Sequence, residues 1–147
     1  AHILMRYGNN VRGMLWASQV SPGNANALRL RVYGDKGGLE WFQETPEILQ
    51  FSRLGQPTIT LKRNGPGSGP AAIYASHIPG GHPEGYLEAF AQIYKDTADL
   101  IQARLENRLP PPEATSVPDI TDGIRGMRFI HAVVESSHKN AGWVALV

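Results

Sequence analysis

The sequence predicts an α+β domain with an open, mainly antiparallel sheet and two main helices packed on one face of it. Short alternating segments joined by tight turns fill the first half of the chain, and two segments with helical periodicity follow a loop rich in glycine and proline. Strands that precede helices, without crossover helices between them, are typical of antiparallel sheets with helices on one side. The chain has 147 residues, enough for one domain over residues 1–147 with a core of its own.

Six strands are predicted before the loop. Gly8-Asn9-Asn10 separates the first two, because glycine and asparagine tolerate the positive φ of a tight hairpin. The segment 28–33 alternates strictly, which places leucine and valine on one face and arginine and tyrosine on the other. The predicted strands cover residues 1–7, 11–20, 28–33, 39–43, 48–52 and 58–62, with a last strand at 143–147.

The second half of the chain predicts two main helices. After the loop 63–83, which contains one short helical turn near 70–76, apolar residues from Tyr86 onward repeat at spacings of three and four until a triple proline ends the helix. The second helix begins between Asp119 and Asp122, either of which can cap free amide groups, and glycine at 142 is expected to end it.

The composition excludes several classes of function. Lys+Arg number 14 and Asp+Glu 13, and the basic residues are scattered, so no nucleic-acid partner is expected. The absence of cysteine excludes disulfides, thiolate metal sites and a cysteine nucleophile. The histidine pairs lack the spacing of a helical zinc site, so no metal is expected. No apolar run or signal peptide indicates a membrane, and a cytoplasmic location is the default expectation.

One segment, residues 79–86, combines backbone and side-chain groups that could bind a ligand. A glycine-rich stretch of the chain leads into the long helix, and the free backbone amides at the start of a helix favour an oxygen-rich ligand. His82 and Glu84 add a donor-acceptor and a charged acceptor, which suits hydrogen bonding to a polyol. The alternative is that His82 caps the helix, Glu84 serves its dipole and Tyr86 packs in the core. The glycine run at 65–69 is no phosphate cradle, because prolines remove amide donors that a cradle would use.

Three stretches together resemble a known family. They are LRLRVYGDKGGLEW at 28–41, GHPEGY at 81–86 and DGIRGMRFIHAVVESS at 122–137. They look like the C-terminal domain of Gfo/Idh/MocA oxidoreductases, and the likeness runs along nearly the whole chain. It implies an enzyme that moves a hydride between a nicotinamide cofactor and a sugar, inositol or related polyol. It also implies an open sheet whose face opposite the helices commonly serves as a subunit interface.

The family's catalytic parts are missing from this sequence. In the family, an N-terminal Rossmann domain carries the glycine fingerprint and a Glu-Lys-Pro segment, and an Asp-x-Gly-x-His helix supplies the catalytic histidine. The resemblance therefore implies no catalytic and no cofactor-binding residue in this chain, with NAD or NADP bound by the full-length protein. The chain begins without methionine and already inside a strand pattern, so we expect it to be part of something longer.

Two functional interpretations follow. In the first, the chain is the substrate-binding and oligomerisation domain of an NAD(P)-dependent sugar or polyol oxidoreductase, not catalytically competent alone. His82 and Glu84 then contact substrate, and the domain self-associates through the sheet face that carries Arg29 and Arg31; anion binding by that face is the less favoured alternative. In the second, the chain is a free-standing binding or assembly module that has lost the catalytic half.

Overall fold

The computed structural model describes residues 1–146, which divide into two compact units. One unit combines Ala1–Asn24 with the chain from Pro118 onward, and the other spans Ala25–Val117. The elements in chain order are β1 (His2–Arg6), β2 (Arg12–Trp16), β3 (Arg29–Gly34), β4 (Gly37–Phe42), β5 (Ile48–Arg53), β6 (Ile59–Lys62), α1 (Pro70–Tyr74), α2 (Tyr86–Leu105) and α3 (Ile120–His138). Single 3₁₀ turns lie at Gly8–Asn10 and Pro112–Ser116. The α+β class is confirmed.

All described strand pairs are antiparallel, as predicted, but the six strands form two sheets. β1 and β2 make a hairpin, whereas β3 to β6 form a four-stranded sheet in sequence order. β2 ends at Trp16, earlier than predicted, where its pairing with His2 of β1 ends. In the connection to β3, Pro22 lacks an amide donor, and Gly23 and Ala27 have positive φ of 89° and 47°.

The four-stranded sheet is amphipathic in the way the alternation predicted. Its pairing register puts Leu30 opposite Trp41 on one face, and that row continues through Leu49 to Leu61. The other face carries a polar row of Arg31, Glu40, Gln50 and Thr60. Since strand neighbours alternate between faces, one register fixes which side chains every strand presents to either side.

The start of α3 is confirmed, and its end is not. The Asp119 carboxylate accepts hydrogen bonds from the amides of Thr121 and Asp122 at 2.7 and 3.2 Å, so Asp119 is the N-cap. α3 stops at His138, before Gly142, because the chain turns at Asn140 and Ala141 with positive φ. The predicted last strand is wrong for residues 143–146, which pair with no described strand; Val147 lies outside the described residues.

Burial falls on unexpected residues. Ala103 and Ala114 are the only buried apolar residues among those described, and they lie where α2 packs on the 3₁₀ turn at Pro112–Ser116. The buried polar residues of α2 are Gln92 and Asp96. The apolar stripe of α2 is exposed, and Tyr86 is 68% accessible, so the alternative that it packs in the core is wrong. No described helix has both the length and the apolar character needed to cross a bilayer.

Candidate functional site

The two residues selected from the sequence lie in the stretch 75–85, which connects α1 to α2 and which we call the entry segment. It has no regular secondary structure. Gly81 has φ of +89°, a left-handed conformation that favours glycine, and the amide of His82 donates to the carbonyl oxygen of Pro79 at 3.3 Å. The Pro79–His82 turn is therefore what reverses the chain before α2 begins.

His82 lies at the surface of the entry segment. Its side chain is exposed, with Nδ1 at 3.3 Å from the carbonyl oxygen of Pro79. A carbonyl can only accept, so in a neutral ring this contact favours the tautomer with a proton on Nδ1, in which Nε2 is an acceptor. The exposed imidazole can therefore accept a hydrogen bond from a hydroxyl group.

Glu84 is buried, unlike His82. Its two carboxylate oxygens accept hydrogen bonds from the backbone amides of His77 and Ile78 at 2.8 and 3.1 Å. Oε2 also lies 2.6 Å from Nη1 of Arg63. The sequence predicted a similar role for His82 and Glu84, but the structure gives them opposite surroundings. The imidazole of His82 is exposed to solvent, whereas the carboxylate of Glu84 is buried and hydrogen-bonded to backbone amides.

Arg63 is the residue that sequence reasoning missed. It directly follows β6, and its guanidinium donates to the carbonyl oxygens of Ile78 and His82 at 2.5 and 2.8 Å. Nε donates to Glu47 Oε2 at 3.0 Å, and Glu47 Oε1 accepts from the backbone amide of Glu84 at 2.6 Å. We call Arg63, Glu47 and Glu84 the anchor triad. Arg63 lies between the two carboxylates, so its positive charge compensates both of them.

The first turn of α2 is partly satisfied by its own side chains. The amide of Gly85 donates to Glu88 Oε2 at 2.9 Å. This hydrogen bond and one from the backbone of Glu88 itself lower the pKa of the Glu88 carboxyl, and the nearby His77 and Arg63 add to that effect. The rings of Tyr86 and Phe90 pack 4.9 Å apart and remain largely exposed. The start of α2 thus presents an exposed aromatic pair that begins four residues after His82 in the sequence.

No cluster of metal-ligating side chains marks the described residues of the entry segment. Within the described residues, no group of three histidine or acidic side chains could hold a metal ion. One shallow depression, of about 180 Å³, lies on the polar face of the four-stranded sheet and is lined by residues that include Tyr33, Glu40 and Gln50. It includes no residue of the entry segment.

The resemblance to a known family is confirmed by comparison with other proteins. The sequence model described as "Oxidoreductase family, C-terminal alpha/beta domain" matches residues 1–146. The chain is 33% identical over 144 residues to the uncharacterized oxidoreductase YfiI of Bacillus subtilis, a match that covers 98% of this chain and 37% of that protein.

Solved structures extend this likeness to the fold. An oxidoreductase from Sinorhizobium meliloti is 48% identical, with a TM-score of 0.91 over 98% of this chain and 40% of that one. An inositol dehydrogenase homolog from Azotobacter vinelandii, complexed with NADH and myo-inositol, is 32% identical, with a TM-score of 0.87 over 97% of this chain and 38% of that one. This chain thus spans well under half the length of the relatives it matches. It belongs to the Gfo/Idh/MocA oxidoreductase family and corresponds to the C-terminal α/β domain of that family.

Proposed function

We propose that this chain is the substrate-binding and oligomerisation domain of an NAD(P)-dependent sugar or polyol oxidoreductase, and that it does not turn over substrate alone. The observation that carries the proposal is the likeness, over 97% of this chain, to an inositol dehydrogenase homolog complexed with NADH and myo-inositol. The exposed imidazole of His82 adds chemical support, because polyols are bound through hydrogen bonds to their hydroxyl groups.

Both residues selected from the sequence stay in the proposed substrate site, with different roles. His82 accepts a hydrogen bond from a substrate hydroxyl through Nε2. Glu84 acts on the substrate through the backbone, since its side chain is only 4% exposed and both of its oxygens already accept hydrogen bonds from amides. The division follows from burial: a ligand can reach the ring, while the carboxylate fixes the segment that carries the ring.

The glycine-rich run 65–69 offers no phosphate-binding segment for a dinucleotide cofactor. The glycine-rich stretch after β6 is turned inward, because the amide of Gly65 donates to Lys62 O at 2.9 Å and that of Ser68 donates to Gly65 O at 3.2 Å. Amides used in this way cannot also cradle a phosphate. We therefore assign nicotinamide binding and hydride transfer to the part of the enzyme that this chain does not cover. The cytoplasmic location of the protein stays a prediction.

Substitution of His82 in the complete protein tests the site. Losing one hydrogen bond of about 0.5–1.5 kcal/mol should raise the KM for the sugar or polyol by roughly two- to tenfold in His82→Ala, with cofactor binding unchanged. His138→Ala is the matched control, because His138 is an exposed histidine at the end of α3. Kinetic constants for His82→Ala that equal those of the wild type with every sugar and polyol tested would remove His82 from the site.

The free-standing module remains the alternative, and the gene discriminates between the two. A reading frame upstream of Ala1 that encodes a strand, a G-x-G-x-x-G turn and a Glu-Lys-Pro segment supports the oxidoreductase. A start codon directly before Ala1 supports the module.

A further inference from the structure

We infer that Arg63 is a positioning residue of the proposed substrate site: its guanidinium fixes the path of the entry segment and, through that path, the place of the His82 ring. The inference deepens the proposed function and rests on it for its kinetic readout. Arg63 is 14% exposed and lies outside the entry segment, so it acts on a ligand only through the backbone that it holds.

The first step of the argument is the geometry of the two carbonyl contacts. The guanidinium donates to the carbonyl oxygens of Ile78 and His82 at 2.5 and 2.8 Å. These carbonyls belong to residues on either side of the turn at Gly81, and a rigid planar group that binds both fixes the distance across that turn. The carbonyl of His82 is one bond from the Cα that carries the imidazole, so its position limits where the ring can lie.

The second step is that the two carboxylates of the anchor triad hold the amides of the same segment. Glu84 accepts from the amides of His77 and Ile78, and Glu47 accepts from the amide of Glu84. Arg63 binds both carboxylates, at 2.6 Å for Glu84 and 3.0 Å for Glu47. Backbone groups at both ends of the entry segment therefore depend on one cation.

The third step is that lysine cannot replace this arginine. Nε, Nη1 and Nη2 each face a different set of acceptors, which requires the planar fork of a guanidinium. A lysine keeps the charge between the two carboxylates, but its single ammonium has three N–H donors for four acceptors that lie around three separate guanidinium nitrogens, so it cannot hold both carboxylates and both carbonyl groups at once. Arg63→Lys consequently loosens the entry segment without leaving the carboxylates of the buried Glu84 and the partly buried Glu47 uncompensated, as an apolar residue would.

The test uses the complete protein and two readouts. Amide hydrogen exchange at residues 77, 78 and 84 measures the segment directly and needs no ligand; Arg63→Lys should raise it by about tenfold. The KM for the sugar or polyol should rise by a factor similar to that of His82→Ala, with cofactor binding unchanged. Arg53→Lys is the control, because Arg53 is an exposed arginine at the end of β5 whose guanidinium lies 5.5 Å from the Phe51 ring.

A double variant separates positioning from general destabilisation. If Arg63 acts through the His82 ring, Arg63→Lys raises KM in the wild-type background and has little further effect in His82→Ala. Additive effects on KM would overturn the inference, and so would unchanged exchange at the three amides. If His82→Ala leaves KM unchanged, the proposed substrate site is wrong, and the inference about Arg63 is wrong with it. If His82→Ala raises KM but Arg63→Lys does not, only the inference about Arg63 is rejected.

Discussion

Gly80 and Gly81 are neighbours in the entry segment, but they place different demands on the backbone. Gly81 has φ of +89°, which side-chain-bearing residues rarely adopt, although a Cβ there would meet no atom within 4 Å. Gly80 has no such φ, and a Cβ built on it would lie 3.5 Å from Arg63 O, an ordinary contact. The turn that presents His82 therefore depends on one glycine of the pair.

This difference predicts a contrast between two alanine variants of the complete protein. Gly81→Ala should destabilise the fold by about 1–3 kcal/mol, because alanine must either accept a strained φ or move the turn. Gly80→Ala should cost little, and it can even stabilise, since alanine reduces the entropy of the unfolded chain. Denaturant titrations of both variants check this. Equal losses of stability would show that the local conformation of Gly81 is not what matters.

At the scale of elements, α2 is held to its neighbours by polar side chains. Asp96 accepts hydrogen bonds from the hydroxyl of Tyr74 in α1 and from Nε2 of Gln92, at 2.7 and 2.6 Å. Nearby, Lys95 forms an ion pair with Asp99 at 2.7 Å; this hydrogen bond raises the pKa of Lys95 and lowers that of Asp99. Both groups therefore stay charged near neutral pH, and hydrogen bonds of the Tyr74 hydroxyl with Asp96 and Lys95 join α1 to α2.

α3 depends on a charged cap, which makes its stability sensitive to acid. Hydrogen bonds from the amides of Asp122 and Thr121 lower the pKa of the Asp119 carboxyl below its usual 3.8. A carboxyl whose pKa is lower when folded contributes stability above its unfolded pKa, and it loses that contribution as the pH falls through the folded pKa.

Replacing Asp119 with asparagine isolates this effect. Asparagine caps helices well and does not titrate, so the wild type should exceed Asp119→Asn in melting temperature at neutral pH, and the difference should shrink as the pH falls below 3.8 and through the lowered pKa of the folded state. Circular dichroism melts at several pH values measure both proteins. Parallel curves over that range would mean that the charge on Asp119 contributes nothing to the cap.

The features that sequence could predict are those encoded within a few residues. Asn9 and Asn10 adopt φ of 55° and 62°, as the hairpin required, and Asp119 caps α3. The anchor triad could not be predicted from the sequence, because Arg63 is 16 residues from Glu47 and Glu47 is 37 residues from Glu84. No periodicity links such positions in a single sequence, and only the pairing of β5 with β6 and the return of the entry segment bring them together.

The same limit applies to faces of elements. The apolar stripe of α2 was visible as a periodic pattern, yet periodicity states which residues share a face and not what covers that face. Asp96 is buried where the Tyr74 hydroxyl of α1 donates to it, and Gln92 donates to the same carboxylate; no local pattern of α2 contains that hydroxyl. Burial of a polar side chain depends on its partner, and the partner is a tertiary property.

At the scale of the whole molecule, both faces of the four-stranded sheet carry exposed side chains. Leu30 and Val32 are exposed on the apolar face, which helices usually cover in α+β folds. The polar face carries Tyr33, which lines one depression with Glu40, and Glu40 forms an ion pair with Arg29 on the same face. Charges of both signs around an exposed aromatic ring allow the same face to pair with itself, as a two-fold symmetric contact requires.

We therefore predict self-association through the polar face, with Tyr33 of the edge strand β3 in the contact. Tyr33→Lys removes an aromatic contact and, in a two-fold contact, adds two like charges at once, so the dissociation constant should rise at least about tenfold. Tyr94→Lys is a close control, because Tyr94 on α2 is 73% exposed and Tyr33 is 72% exposed. Light scattering and sedimentation over a concentration series measure the association of both variants and the wild type. A wild type that stays monomeric at high concentration would refute self-association, and weakening by Tyr94→Lys instead of Tyr33→Lys would move the contact from the sheet to the long helix.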